Sequence, residues 1–382
     1  MKLTLVISSL ERGGAERIIS VLASAWAEQG KQVTLILFDD RESPAYPIHR
    51  NVVLQSLHVA NEAAEGSLHA LYSNLRRIRL LRRAIRQSSP DIVISFLDFP
   101  NVITLLATRG LGVPVIVSER ANPQYEELKP VWKFLRRRLY PLAAALVCQT
   151  SAMVAQLQQE IKVAGYAIPN PVALPKAVAG PVSGGNANAR TVIAMGRLVP
   201  QKGFDLLLEA FAPIAGRHPE WSIKVLGKGP LKVELEAQAE SLGLKDRVSF
   251  VGTASDPFPV LRAADLFVFS SRFEGFGNAL AEAMACGLPV ISFDCPAGPA
   301  DIIRNGVDGV LVPAEDVAGL ARAMDHLMSD TAARQRLARR APEVLERFSL
   351  ERVLDLWEHV VLSRAKRQSH NGAREISQSV SD

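Results

Sequence analysis

Short apolar, largely β-branched runs recur along the chain, separated by longer stretches whose apolar positions return every three or four residues. The strand-length runs of the first half lie at residues 3–8, 32–38, 91–96, 114–118 and 145–148, with the helical period at 15–29 and 71–87 between them. Near-continuous apolar strands alternating with amphipathic helices predict βα units around a parallel sheet buried on both faces. Residues 169–189 break the pattern: Pro169, Pro171, Pro175 and Pro181 lead into Ser-Gly-Gly-Asn-Ala-Asn, the composition of a linker. The pattern then restarts at 191–195 and repeats through 222–226, 248–251, 266–269, 289–292 and 310–312.

This organisation predicts an α/β protein of two Rossmann-like, doubly wound domains with a cleft between them. The expected divisions are a first domain at 1–172, a linker at 173–189, a second domain at 190–349 and an amphipathic helix at 350–365. The polar tail at 366–382 has no apolar stripe and is expected to be disordered. A length of 382 residues agrees, because it exceeds a comfortable single core. In doubly wound sheets ligands sit at the carboxyl ends of the strands, so the strand-to-helix loops are where chemistry is expected.

Composition narrows the class. Hydrophobic residues make up 48% and charged residues 22%, the balance of a soluble globular chain. No apolar run approaches the roughly 20 residues that span a bilayer, and the start flows into a strand without a cleavable small-residue site, so no signal peptide is expected. Cys148, Cys286 and Cys295 lack metal-ligand spacing and form no even set, which reads as buried thiols in a reducing, cytoplasmic compartment.

Three loops carry candidate chemistry. The first, residues 8–17, contains Gly13 and Gly14 where the first strand meets the first helix. Either the glycines let backbone amides approach an anion at the helix start, or they form only a tight turn. There is no GxGxxG, which weakens a dinucleotide reading. The second loop, residues 195–203, holds Arg197 and Lys202 just before a helix at 204–215. Two cations and a helix N-terminus suit a diphosphate, Arg gripping it bidentately and Lys acting as a point charge; the alternative is a solvated basic pair.

The third loop, Ser271-Arg272-Phe273-Glu274-Gly275-Phe276-Gly277-Asn278, leads into a helix at 278–286. Glu274 lies in the loop and Glu282 about one turn inside the helix. The amides of Phe276, Gly277 and Asn278 are expected to point at an anion, flanked by two carboxylates able to accept hydrogen bonds from sugar and ribose hydroxyls.

Taken together, Gly-Gly-Ala-Glu-Arg at 13–17, Gly-Arg-Leu with Lys-Gly at 196–203, the Glu-x7-Glu block at 274–282 and Ala-Met-Ala-Cys-Gly-Leu-Pro-Val at 283–290 resemble glycosyltransferase family 4, a retaining family with the GT-B fold. The resemblance spans about residues 1–360 and is most specific in the second half. It implies that Arg197 and Lys202 hold the donor diphosphate and stabilise charge on the departing nucleotide. It further implies that Glu274 binds hydroxyls of the transferred sugar and Glu282 the ribose, with the amides at 276–278 and at Gly13 and Gly14 completing the phosphate cradle. A C-terminal helix returning to the first domain follows from the same fold. So do a nucleotide-sugar donor, most commonly a UDP-sugar, no metal and no further cofactor, and attack by the acceptor on the face the nucleotide leaves.

One departure is visible. Many members carry a His after the strand at 114–118, where this chain has Glu119-Arg120-Ala121-Asn122-Pro123, with Asp98 at the neighbouring strand end. Either Glu119 or Asp98 orients the acceptor hydroxyl and Arg120 contacts a phosphate, or Glu119 and Arg120 form an internal network that holds the loop.

Charge points to the acceptor. Residues 1–172 carry 20 Lys and Arg against 14 Asp and Glu, a balance of +6, although the whole chain is only +5. On a helical wheel Leu71, Leu75, Ile78, Leu81 and Ile85 share one arc, while Arg76, Arg79, Arg83 and Arg86 share another about 80° wide. Four arginines without acidic partners repel one another unless anions are near. A second basic and aromatic cluster, residues 132–140, suits a membrane interface. A lipid-diphosphate-linked glycan acceptor at an anionic inner-leaflet surface is therefore expected. A soluble sugar-phosphate synthase or a GT-B epimerase is the alternative. No nucleic-acid module appears, so no nucleic-acid partner is expected.

Overall fold

The fold was read from a computed structural model, which describes residues 1–11, 13–39, 44–59, 67–120, 125, 129–174, 190–254 and 256–362. Residues 175–189 of the linker expected at 173–189, and the tail at 366–382, lie outside these residues. The chain divides into two compact units, one built from Met1–Pro169 and the chain from Val353 onward, the other from Asn170–Arg352.

The first unit is a seven-stranded parallel sheet. Its strands are β1 (Lys2–Ile7), β2 (Gln32–Leu37), β3 (Val52–Ser56), β4 (Ile92–Phe96), β5 (Val115–Ser118), β6 (Ala145–Cys148) and β7 (Gly165–Ala167), in the order β3-β2-β1-β4-β5-β6-β7. Leu3 pairs with Val33 on one side and Ile92 on the other, and β4, β5 and β6 are buried throughout. The order reverses between β1 and β4, which makes their carboxyl ends the switch point where ligands bind in such sheets.

Two edge strands escape the sequence pattern. β3 leaves Val53 and Leu54 exposed, and β7 is only three residues long with no buried position, so neither shows the apolar run of a central strand. The C-terminal helical segment, Leu350–Asp355 continuing as a π-helix over Leu356–Leu362, supplies Trp357 to this unit. The indole is fully buried, edge-on to Trp26 at 5.9 Å and stacked near Phe96 at 6.3 Å, which ties the chain end to the first sheet.

The second unit repeats the plan. Its strands are β8 (Arg190–Met195), β9 (Trp221–Leu226), β10 (Val248–Gly252), β11 (Leu266–Phe269), β12 (Val290–Asp294) and β13 (Val310–Pro313), all parallel, in the order β10-β9-β8-β11-β12-β13. Here the order reverses between β8 and β11. The loops leaving these two strands are those carrying Arg197 with Lys202 and Glu274. Beneath them, Phe204, Leu207 and Phe211 of one helix and Leu280 and Met284 of another are buried against the sheet's two faces. Each such side chain contributes about 1.5–3 kcal/mol by leaving water. The loops therefore stand on a rigid base.

Candidate functional site

The β8 and β11 loops meet side chain to side chain. Lys202 Nζ lies 2.5 Å from Glu274 Oε1, with the two side chains 16% and 9% exposed. The Lys202 stem runs beside Gly196, where an added Cβ would come within 3.1 Å of it, and its ammonium sits 5.5 Å from the centre of the Phe269 ring. Gly203, at φ +60, lets the turn close: a Cβ there would meet the Ser270 carbonyl oxygen at 2.0 Å. Arg197 in the same loop is exposed.

Glu274 and Glu282 are both buried, at 7% exposure, so neither is the solvated surface acid that an isolated Glu in a helical region usually is. Between them Phe276 is buried edge-on against Phe348 at 5.5 Å, and Asn278, opening the helix Asn278–Ala285, accepts a hydrogen bond from Asn170 through its side-chain oxygen at 2.8 Å. Among the described residues, no acceptor takes the amides of Phe276, Gly277 or Asn278. Unpaired N–H groups at a helix start favour an anion. The loop after β12 closes this side: Pro296 receives the Glu274 amide at 3.5 Å, and burial pushes the Cys295 thiol up to about 12, with the nearby Glu274 charge adding to the rise.

In the first unit the expected residues divide into two groups. Gly13 and Gly14 stand where β1 enters the helix Gly14–Glu28, at the switch point. Gly13 is extended at φ −161, so the backbone conformation there does not itself demand glycine. Asp98 opens the helix Asp98–Thr108 at the end of β4, half-buried, and follows Leu97, whose φ of +75 is strained for a leucine.

Glu119 and Arg120 turn inward, Glu119 onto Tyr140 and Arg120 onto Phe96 and Trp357. Glu119 is 2% exposed and receives the Tyr140 hydroxyl, which Asn101 also meets at 3.0 Å. Arg120 is 8% exposed and stacks over Phe96 at 4.5 Å and near Trp357 at 5.9 Å. Burial lowers its guanidinium to about 9, which still leaves it charged at neutral pH. Residues 121–123 lie outside the described set.

Arg76, Arg79, Arg83 and Arg86 are all exposed on the helix Ser67–Ser88, and Arg79, Arg82, Arg83, Arg86 and Gln87 line a groove of about 440 Å³. The apolar arc expected on the same helix is only half buried. Leu81 and Ile85 face the core, but Leu71 and Leu75 stand 58% and 42% exposed beside Tyr72 at 61%. Their place is taken by Ser73 and by Arg77, which turns in to donate to the Val59 carbonyl and lie over Phe99. In the basic cluster, Arg136 is buried while Lys133, Phe134, Arg137 and Arg138 are exposed.

Comparison with known proteins decides the family. Residues 181–344 match the model described as glycosyl transferases group 1, and residues 13–169 match the glycosyl transferase 4-like domain. A Campylobacter jejuni protein named as an α-1,4-N-acetyl-D-galactosaminyltransferase acting on a diphospho-undecaprenol-linked glycan is 30% identical over 359 residues, covering 94% of this chain and 97% of the relative. The chain belongs to glycosyltransferase family 4. The lipopolysaccharide core glycosyltransferase LpsE of Rhizobium meliloti is 29% identical, over 92% of this chain and 96% of its own.

Solved structures give the transferase its fold. The sucrose-phosphate synthase of Thermosynechococcus elongatus superposes with a TM-score of 0.79 at 18% identity, covering 99% of both chains. Anabaena HepE, solved with UDP and glucose, gives 0.73 at 22% identity over 94% and 98%. The fold is GT-B.

Some contacts of this candidate site escaped the sequence reading. Gln201 donates to the Phe273 carbonyl at 2.9 Å, Ser270 donates to the Lys202 carbonyl at 3.0 Å, and Arg272 reaches across to Asp205. Their only sequence signal is position, each lying within three residues of Lys202 or four of Glu274. Among the described residues, no cluster of three His, Cys, Asp or Glu side chains is built to hold a metal, and no helix is long and apolar enough to cross a membrane.

Proposed function

We propose that this transferase moves a hexose or N-acetylhexosamine from a UDP-sugar, with retention and without a metal, to a lipid-diphosphate-linked glycan of a cell-surface polysaccharide or oligosaccharide. The observation that carries the donor half is the Lys202–Glu274 contact beside the unpaired amides at 276–278. A fixed cation and a helix N-terminus suit the developing charge on a departing diphosphate, while a buried carboxylate suits hydroxyls of the transferred sugar. Arg197 serves as the second cation and Glu282 as the ribose acceptor.

The acceptor half rests on the first unit. The exposed arginines 76, 79, 83 and 86 suit a diphosphate or anionic headgroups, and exposed Leu71, Tyr72, Val131 and Phe134 suit the interfacial region of an inner leaflet. Asp98, half-buried at the end of β4, is the more open of the two candidate acceptor-orienting carboxylates, Glu119 being 2% exposed. The Campylobacter relative's diphospho-undecaprenol acceptor and the UDP bound to HepE support this choice of substrates. The test is product analysis with UDP-hexoses and UDP-N-acetylhexosamines against lipid-diphosphate-linked and soluble sugar-phosphate acceptors. An α-linked product from an α-donor on the lipid-linked acceptor is expected. Inversion at the anomeric carbon, or transfer only to soluble sugar phosphate, would contradict the reading.

A further inference from the structure

Arg272 lies two residues before Glu274, yet its contacts are with the loop that carries Lys202. Its backbone amide donates to the Gln201 carbonyl at 2.8 Å. Its Nη1 donates to the Pro200 carbonyl at 2.8 Å and to Asp205 Oδ1 at 2.9 Å, and its Nη2 to Asp205 Oδ2 at 2.6 Å. Nε reaches Glu315 at 3.2 Å. Pro200 and Asp205 bracket Lys202 in sequence, so one guanidinium grips the chain on both sides of the candidate donor lysine while its own backbone leads directly to Glu274.

We propose that Arg272 is a positioning residue of the donor site, fixing the Lys202 turn against the Glu274 loop through Pro200 and Asp205. The inference rests on the reading that a nucleoside diphosphate binds at Arg197 and Lys202. The Arg272 and Asp205 side chains are 26% and 36% exposed, so the contact lies outside the buried core. Its two-toothed geometry fixes the loop that carries Lys202, and reaction geometry is sensitive: a misplacement of about 1 Å costs up to roughly 100-fold in rate. The two-toothed contact is also one that only Arg makes: a lysine would keep the charge but reach a single acceptor. Both partners respond to the contact. The Asp205 hydrogen bonds raise the Arg272 guanidinium above its ordinary range. Burial pushes the Asp205 carboxyl up, but bonding to Arg272 outweighs it and holds the group below the usual carboxylate range.

The test compares wild type, Arg272→Gln and Arg272→Lys by titration calorimetry with UDP, GDP and ADP, alongside steady-state kinetics in donor and acceptor. Arg272→Gln is expected to weaken diphosphate binding and lower kcat/KM for the donor by about tenfold or more, with acceptor KM within about twofold of wild type. Arg272→Lys is expected to recover part of that loss. Unchanged donor binding in Arg272→Gln, or equal losses for donor and acceptor that track a fall in melting temperature, would overturn the inference. Should Arg272→Gln fail to fold, Arg272→Lys with wild-type donor parameters would overturn it as well. Wild-type protein that binds none of the three diphosphates would instead remove the donor-site reading, and this inference with it.

Discussion

Lys202 and Glu274, 72 residues apart in the chain, form a nearly buried ion pair at 2.5 Å that joins the loops leaving β8 and β11. The relationship makes each residue the other's counter-charge before any substrate arrives. Removing one partner leaves a charge with little access to water. Lys202→Met and Glu274→Gln should therefore each cost stability, toward the roughly 3–5 kcal/mol typical of a broken buried pair, while the double variant should cost less than the two singles summed. Each single should also lower kcat by about 100- to 1000-fold, the loss of about 2.7–4 kcal/mol of preorganised charge stabilisation. Urea melts and initial rates on the same four proteins measure both effects.

Gly298 is held at φ +116, and a Cβ at that position would lie 2.1 Å from the Phe276 carbonyl oxygen. The loop after β12 can thus approach the amides at 276–278 only through glycine. Gly298→Ala should destabilise by about 1–3 kcal/mol or more through backbone strain, and should weaken UDP binding because the same clash displaces Phe276. A thermal melt and a UDP titration check it; an unshifted melt would contradict the geometry.

Acid should loosen the second unit in a traceable way. Glu343 is held at about 2, first by the Arg340 hydrogen bond and then by that of Arg304, with the latter pair at 2.6 Å. A carboxyl whose folded value is depressed contributes stability that is fully present above its unfolded value and is lost as pH falls through the folded one. The melting temperature should therefore drop between about pH 4.5 and 2, and Glu343→Gln should flatten that limb while lowering the plateau above it. Melting curves from pH 7 to 2 decide it.

The fold was legible wherever strands are buried on both faces: β5, β6 and β11 end within a residue of where their apolar runs place them, and the helix Phe204–Ala215 falls on its expected residues. What the sequence hides is partnership. Glu119 and Arg120 read equally as ligand contacts or as an internal network, because nothing in their own segment shows that Tyr140, Phe96 and Trp357 lie against them from distant parts of the chain. Arg272 reads as one more basic residue because Asp205 lies 67 positions away. Leu71 and Leu75 fit an apolar helical arc that the helix does not bury at its start, since a wheel records angle but not where along the axis a neighbouring element ends.

The exposed arginines carry a membrane prediction. Each basic residue near anionic lipid is worth about 1 kcal/mol, so neutralising Arg76, Arg79, Arg83 and Arg86 to Gln should weaken binding to phosphatidylglycerol-containing liposomes by about two to three orders of magnitude. Flotation at low salt measures it. Equal flotation of wild type and the fourfold variant would refute the assignment, as would wild-type protein that never floats.

The donor site itself is tested most directly by turnover. Transfer from a panel of UDP-sugars to a lipid-diphosphate-linked acceptor, followed by mass spectrometry of the lipid product, should show one sugar added per turnover by wild type. Glu274→Ala and Lys202→Ala should be almost inactive while retaining a wild-type circular dichroism spectrum. Near-normal transfer by either folded variant would contradict the account.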